Sequence, residues 1–308
     1  MIYCFGLLSM SLIMTGNQLP QPGKMLVGDT YHLRPAGGAV NAAVAARRAG
    51  ANEVALCAVV GNDEFGTKLI SHLQTQKLNL ENVTTQTGAT ALTHYAVQKG
   101  GAMQASLATG MAAAIRAENI IPKLKSDDHV MVDVMANAEQ SYALLRAARQ
   151  AEATGYLYFT SGAELPDDAT LLSAAWLITN RAGAEALAKK PFHSHEEFKE
   201  WAAEYGLRHH LYLAIMDSPA EIFVFTFQGG YLWRGLKVDA IDITGAHEAW
   251  LGTLMTALQA GLPEQRALAR AAAASSLATL ALGAQDAMVQ NQTLAEWLPD
   301  LPEPERIS

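Results

Sequence analysis

The sequence predicts an α/β fold with a mostly parallel sheet covered on both faces. Short apolar runs, rich in branched and aromatic residues, alternate with longer helix-patterned segments. Half of the 308 residues are hydrophobic, enough for a large core. No linker, internal repeat or low-complexity segment divides the chain, so residues 1–308 are expected to form a single domain.

The elements follow in order. Ile2–Met14 is apolar, lacks a basic leader and a small-residue cleavage site, and reads as a first strand. Gly16–Arg34 carries Pro20, Pro22, Gly23 and Gly28, which points to loops or short strands outside the main sheet. The Ala-rich Asn41–Gly50 reads as a helix, Glu53–Val60 as a buried strand closed by Gly61, and Phe65–Gln76 as a helix. Thr90–Val97 alternates weakly and reads as a strand. Val130–Met135 reads as a buried strand and Glu139–Glu152 as the helix after it. Gly155–Thr160, Trp176–Thr179, His210–Met216 and Glu221–Phe227 read as further strands. Ser194, with Glu197 three residues on, forms a capping box for a helix to about Tyr205. Ala249–Ala260 and Ala267–Ala284 are strongly helical; the second run holds Arg270, Ser275, Ser276 and Thr279 and fits a tightly packed soluble helix.

Composition narrows the function. The formal charge is −8, with 22 basic and 30 acidic residues and no basic run of five or more. A nucleic-acid surface needs clustered Lys and Arg, so none is expected. Two cysteines, Cys4 and Cys57, are too few for a disulfide scaffold and imply a reducing, cytoplasmic compartment. No apolar window reaches membrane-span length, so no membrane partner is expected.

The most informative stretch is Asp242-Ile243-Thr244-Gly245-Ala246-His247-Glu248-Ala249-Trp250-Leu251-Gly252. A Gly-Ala turn opening a helix lets backbone approach an anion, and the free N–H groups and helix dipole favour phosphate there. A carboxylate in the first turn can accept a proton from an attacking hydroxyl. An ordinary helix start, with Thr244 as cap and Glu248 near the positive end, accounts for the same residues. Elsewhere, His193, His195, Glu196 and Glu197 fit no common zinc spacing, so no metal is expected. His209 and His210 read as surface residues. Thr160 and Ser161 have no His–Asp arrangement beside them.

The opening motif resembles the Asp-Thr-x-Gly-Ala-Gly-Asp-x-Phe-x-Gly signature of the ribokinase-like (PfkB) sugar kinases. Three further matches keep that family's order. Ala36 to Ala46 (Ala-Gly-Gly-Ala-Val-Asn-Ala-Ala-Val-Ala-Ala) resembles Gly-Gly-Lys-Gly-Ala-Asn-x-Ala-Val-Ala-Ala. Val60-Gly61-Asn62-Asp63-Glu64-Phe65-Gly66 resembles Val-Gly-x-Asp-x-Phe-Gly, and Leu282-Gly283-Ala284-Gln285 carries the Gly-Ala-Gln after the Ala-rich helix. The resemblance implies a three-layer, doubly wound domain with a small β lid, here formed by about 12–34 and 89–107. It implies transfer of the γ-phosphoryl of Mg-ATP to a hydroxyl of a sugar or nucleoside-like ligand. Glu248 falls at the catalytic base, Gly245, Ala246 and His247 at the anion hole, and Asp242 and Thr244 at a monovalent-cation site. Lid strands in this family often pair between protomers, so a homodimer is expected, through Leu12–Met14 and Thr93–Val97.

The departures from the family pattern are systematic. On the substrate side, Asn41 is kept. Ser11 falls where an Asp holds the sugar, Gly38 where a Lys does, and Met135 where a Glu does. The Asn of an Asn-Pro segment falls near Tyr158 or Phe159. On the nucleotide and magnesium side, Asn180 is kept, but Gly183 stands where a Glu organises the magnesium shell. Ile215-Met216-Asp217-Ser218-Pro219-Ala220 has lost both glycines of a Thr-x-Gly-x-x-Gly turn. Unpaired hydroxyls cost roughly 1–3 kcal/mol each. Glu248 reaches about one bond further than Asp, and a misplacement near 1 Å can cost on the order of 10²-fold in rate. His247 puts a ring where Gly serves backbone approach best. Two readings follow: a sugar kinase with weak or lost activity, or a non-catalytic member that binds a small molecule or a partner protein.

Overall fold

The computed structural model describes residues 1–99 and 103–307. Fourteen strands are found among them: β1 Ile2–Phe5, β2 Ser9–Gly16, β3 Thr30–Ala36, β4 Val54–Gly61, β5 Asn79–Gln86, β6 Ala91–Gln98, β7 Met103–Ala108, β8 His129–Asp133, β9 Thr154–Tyr158, β10 Trp176–Asn180, β11 Tyr212–Ser218, β12 Glu221–Thr226, β13 Gly229–Arg234 and β14 Glu305–Arg306. The helices are α1 Gly38–Arg48, α2 Glu64–Gln74, α3 Ala138–Gln150, α4 Asp168–Leu171, α5 Arg181–Ala188, α6 His195–His209, α7 Ala246–Gln259, α8 Glu264–Leu277 and α9 Asn291–Trp297.

Ten strands form one sheet in the order β14-β13-β12-β11-β10-β9-β8-β1-β4-β5. The run from β11 through β1 to β5 is parallel, and β12, β13 and β14 extend it antiparallel. Successive residues of a strand face opposite sides. Ile2 and Cys4 therefore enter one core with α1, α7 and α8, while Tyr3 and Phe5 enter another with α3 and α6. Trp250 is fully buried in the first core, edge-on to Trp176 with ring centroids 6.2 Å apart. Covering both faces makes three layers, as expected.

A second sheet has the order β3-β2-β6-β7, with β2 and β6 parallel. It is the small lid-like sheet of the expected fold. The expected lid span 89–107 includes residues 100–102, which lie outside the described residues.

Three local expectations are corrected. Ile2–Met14 is two strands, because the chain turns at Gly6, whose φ of +147° breaks the extended run. β1 joins the main sheet and β2 the small one. The Ala-rich helix ends at Leu277 and not at Ala284. Beyond it Thr279 turns back onto Ser276, and Gly283 donates its N–H to Asp242 at 2.8 Å. His209 is buried rather than on the surface, its ring tilted against Tyr205 with centroids 4.6 Å apart. The polar strands β5 and β7 and the later strands β13 and β14 are additional to those expected, because their hydrophobic patterns are weak or short.

Candidate active site

The C-terminal ends of β8 and β9 meet the first turns of α1 and α7, with the small sheet opposite. This is the crevice outside the carboxyl ends of parallel strands, where open α/β sheets bind ligands. Asp133 ends β8 and is buried. Its carboxylate accepts N–H groups from Met135 at 3.0 Å and Leu7 at 3.4 Å, and the Gly38 and Ala39 N–H groups at the start of α1 lie near it. Burial pushes Asp133 up to about 6, and those four donors hold it from rising further. Gly38 is pinned between two groups. A Cβ there would lie 2.7 Å from Asp133 Oδ2 and 2.8 Å from Tyr158 Cε1.

Tyr158 ends β9, and its hydroxyl donates to Glu248 Oε1 at 3.1 Å. Glu248 lies in the first turn of α7, and its carboxylate also accepts its own backbone N–H. It keeps some exposed surface yet is enclosed by protein, as at the floor of a cleft. Burial pushes it up to about 7, and the charge of Asp133 adds to the rise. Tyr95 of β6 is raised to about 12, first by burial and then by Glu248, Asp242 and Asp133, so it shares the cleft. Burial lowers His247 to about 4, which keeps its ring neutral near pH 7.

The turn before α7 is tightly built. Gly245 has φ +87°, and a Cβ there would lie 2.5 Å from the Ala284 carbonyl oxygen. Ala246 donates its N–H to Ile243 at 3.3 Å. Asp242 Oδ1 accepts from the Thr244 N–H at 2.9 Å and its hydroxyl at 2.7 Å, and Oδ2 accepts from Gly283. Three protein donors thus occupy the carboxylate assigned to the cation position.

Among the residues expected on the substrate side, Asn41 Oδ1 accepts from Gln285 Nε2 at 2.9 Å, and Gln285 Oε1 meets His72 Nε2 at 2.8 Å. Ser11 is buried, and its hydroxyl finds no partner among the described residues. Met135 is half-buried just beyond Asp133.

Among the residues expected on the nucleotide side, Asn180 caps α5 through the Gly183 N–H at 2.8 Å. A Cβ on Gly183 would lie 2.0 Å from Thr179 Oγ1, which itself donates to the Phe159 carbonyl at 2.8 Å. Asp217 is held by Arg181 through two bonds of 2.7 and 3.1 Å, and that guanidinium lies 4.5 Å from the centre of the Phe198 ring. Magnesium beside phosphates is held by one or two carboxylates, with waters and phosphate oxygens completing its shell. Gly183 has no side chain and Asp217 is paired with Arg181, so the residues expected on that side supply no unpaired carboxylate for magnesium. Ser194 caps α6 through Glu197 N–H at 3.1 Å, and Glu197 pairs with Lys190 at 2.6 Å, so the run from His193 to Glu197 is a helix start.

Sequence reading alone missed Asp133, Tyr95 and Arg181. A lone Asp at the end of an apolar strand was the available signal, since a buried carboxylate needs partners.

Comparison with known proteins agrees with this architecture. Ribokinase of Lactococcus lactis is 25% identical over 293 residues, covering 92% of each chain. The crystal structure of ribokinase from Thermotoga maritima superposes with a TM-score of 0.83 at 18% identity, covering 97% of this chain and 99% of that one. Arabidopsis thaliana ribokinase, solved with ribose and ATP, gives a TM-score of 0.80 at 17% identity over 96% and 98% of the two chains. Residues 1–291 match the pfkB family carbohydrate kinases, and the chain belongs to that family.

Proposed function

We propose that this protein is a ribokinase-like sugar kinase by descent whose ATP-dependent phosphoryl transfer is weak or lost. The observation that carries the reading is the Tyr158–Glu248 hydrogen bond of 3.1 Å. An attacking hydroxyl must donate to the base, and Tyr158 already donates to Oε1, which leaves Oε2 alone to receive a ligand donor. A carboxylate near 7 would by itself suit general-base work at neutral pH. The engaged donors and carboxylates around it tell against catalysis. Asp133 is occupied by the Met135 and Leu7 N–H groups, and Arg181 holds Asp217. The same engagement supports the second reading, a non-catalytic member that retains a small-molecule site. In either case the small sheet serves as the lid of one domain, with Ser11, Gly38, Asn41 and Met135 toward the ligand. Asn180, Gly183 and Asp217 stand toward any nucleotide, and a monovalent cation at Asp242 and Thr244 belongs to the catalytic reading.

Thermal shift and calorimetry with Mg-ATP test the reading, with ADP release measured across pentoses, hexoses and nucleosides. Weak or no nucleotide binding and no sugar-dependent ADP release are expected. Micromolar Mg-ATP binding with turnover of about 1–100 s⁻¹ on any sugar would overturn it.

A further inference from the structure

We propose that the cleft between the small sheet and the first turn of α7 binds a small hydroxylated amine, its ammonium on Glu248 beside the Tyr95 and Tyr158 phenols and a hydroxyl on Ser11. The inference rests on the reading above that this cleft is the ligand site.

The first observation is charge without a counter-charge. Glu248 is enclosed with Asp133 nearby, and the groups acting on it are Tyr158, its own N–H and Asp133, none of them cationic. His247 beside it is neutral near pH 7. Arg34 shares a register row with Ser11 and its Nε has no hydrogen-bond partner among the described residues, but it lies 3.7 Å from Asp286 and is not among the groups acting on Glu248. An enclosed carboxylate of this kind gains most from a ligand that brings its own positive charge. Phenol rings beside it add cation–π attraction for an ammonium group.

The second observation is independent. Ser11 is only 2% exposed, and its hydroxyl is unpartnered among the described residues. In β2 and β6, Ser11 is paired with Thr93 and Ile13 with Tyr95. Alternation therefore puts Ser11, Thr93 and Tyr95 on one face. Thr93 is already bonded to Ser9 at 3.0 Å, which leaves Ser11 without a mate. Because Tyr95 interacts with Glu248 and Asp133, that face is the one turned to the cleft. A buried hydroxyl without a partner costs free energy that a ligand hydroxyl would relieve. A neutral sugar would satisfy Ser11 but would leave Glu248 without a charge partner.

The test is calorimetric binding to the full chain, without nucleotide, of three matched pairs: glucosamine with glucose, galactosamine with galactose, and serinol with glycerol. At pH 8 at least one amine should bind about tenfold or more tightly than its neutral partner. Glu248→Gln should erase the preference, and Ser11→Ala should weaken the amine several-fold while both variants keep the wild-type circular dichroism. The preference should shrink at pH 5.5, where Glu248 is protonated; Asp133, Tyr95 and Tyr158 are the other titratable groups that interact with it. Equal or better binding of the neutral partners, binding of none of the three amines, or a preference that survives Glu248→Gln overturns the proposal. Sugar-dependent ADP release would sink the weakened-kinase reading while leaving amine preference to be decided by binding alone.

Discussion

Tyr158→Phe isolates the contact on which the reading of the cleft depends. The ring stays in place against Gly38 and Asp133, and only the hydroxyl that donates to Glu248 at 3.1 Å is removed. A hydrogen bond to a charged acceptor is worth about 1.5–3 kcal/mol, and one between neutral groups about 0.5–1.5. The difference, about 1–2 kcal/mol, corresponds to a further rise of roughly one unit in Glu248. The sign follows from the direction of the shift. Burial raises folded Glu248 from 4.5 to about 7, so its contribution to stability is full below about pH 4.5 and is lost as pH rises through about 7. The Tyr158 hydroxyl opposes that loss by favouring the ionised form. Urea unfolding of wild type and variant at pH 5 and pH 8 measures this. The variant should lose about 1.5–3 kcal/mol at pH 8 and about 1 kcal/mol less, or smaller still, at pH 5. Equal losses at the two pH values would refute the pairing, and no loss at pH 8 would show that Glu248 is not enclosed as described.

Gly183→Glu, which restores the family carboxylate, should destabilise by about 1–3 kcal/mol in urea without improving Mg-ATP binding. Its Cβ displaces Thr179 Oγ1 from the Phe159 carbonyl; a stable variant with tighter Mg-ATP would contradict this. Changing His247→Gly together with Glu248→Asp should not restore sugar-dependent ADP release. Groups that act as a unit are non-additive, and Asp133, Arg181 and Gly183 remain as they are. Glu248→Gln should flatten the fall in stability between about pH 4.5 and 7, a change on the order of 1–3 kcal/mol; an unchanged profile would show that another group titrates there. Leu12–Met14 and Thr93–Val97, expected to pair between protomers, lie in the inner strands β2 and β6 and pair with each other, so an edge-to-edge homodimer would have to form through the outer strands β3 and β7; it should give a dimeric mass by light scattering at tens of micromolar. A monomeric mass refutes it.

The sequence by itself determined the order and type of most elements, because hydrophobic period, caps and Gly or Pro signals act over a few residues. The Ser194 cap, the buried strand ending at Gly61 and the helix opening after Gly245 are local of this kind. It also determined the family, since the motifs at residues 36–46, 60–66 and 242–252 occur in a fixed order. It placed Glu248 and Gly245 at a helix start. Only the tertiary structure decided what those groups touch. Tyr158 and Glu248 are 90 residues apart, Leu7 and Asp133 are 126 apart, and Asn41 and Gln285 are 244 apart. Whether a carboxylate is free, bonded or half-protonated depends on distances and enclosure set by the packing of separate layers. Neither is written in the spacing along the chain. For the same reason Asp133 looked like part of an apolar strand, and the chain did not reveal that Asp217 is bound by Arg181 while Ser11 has no partner.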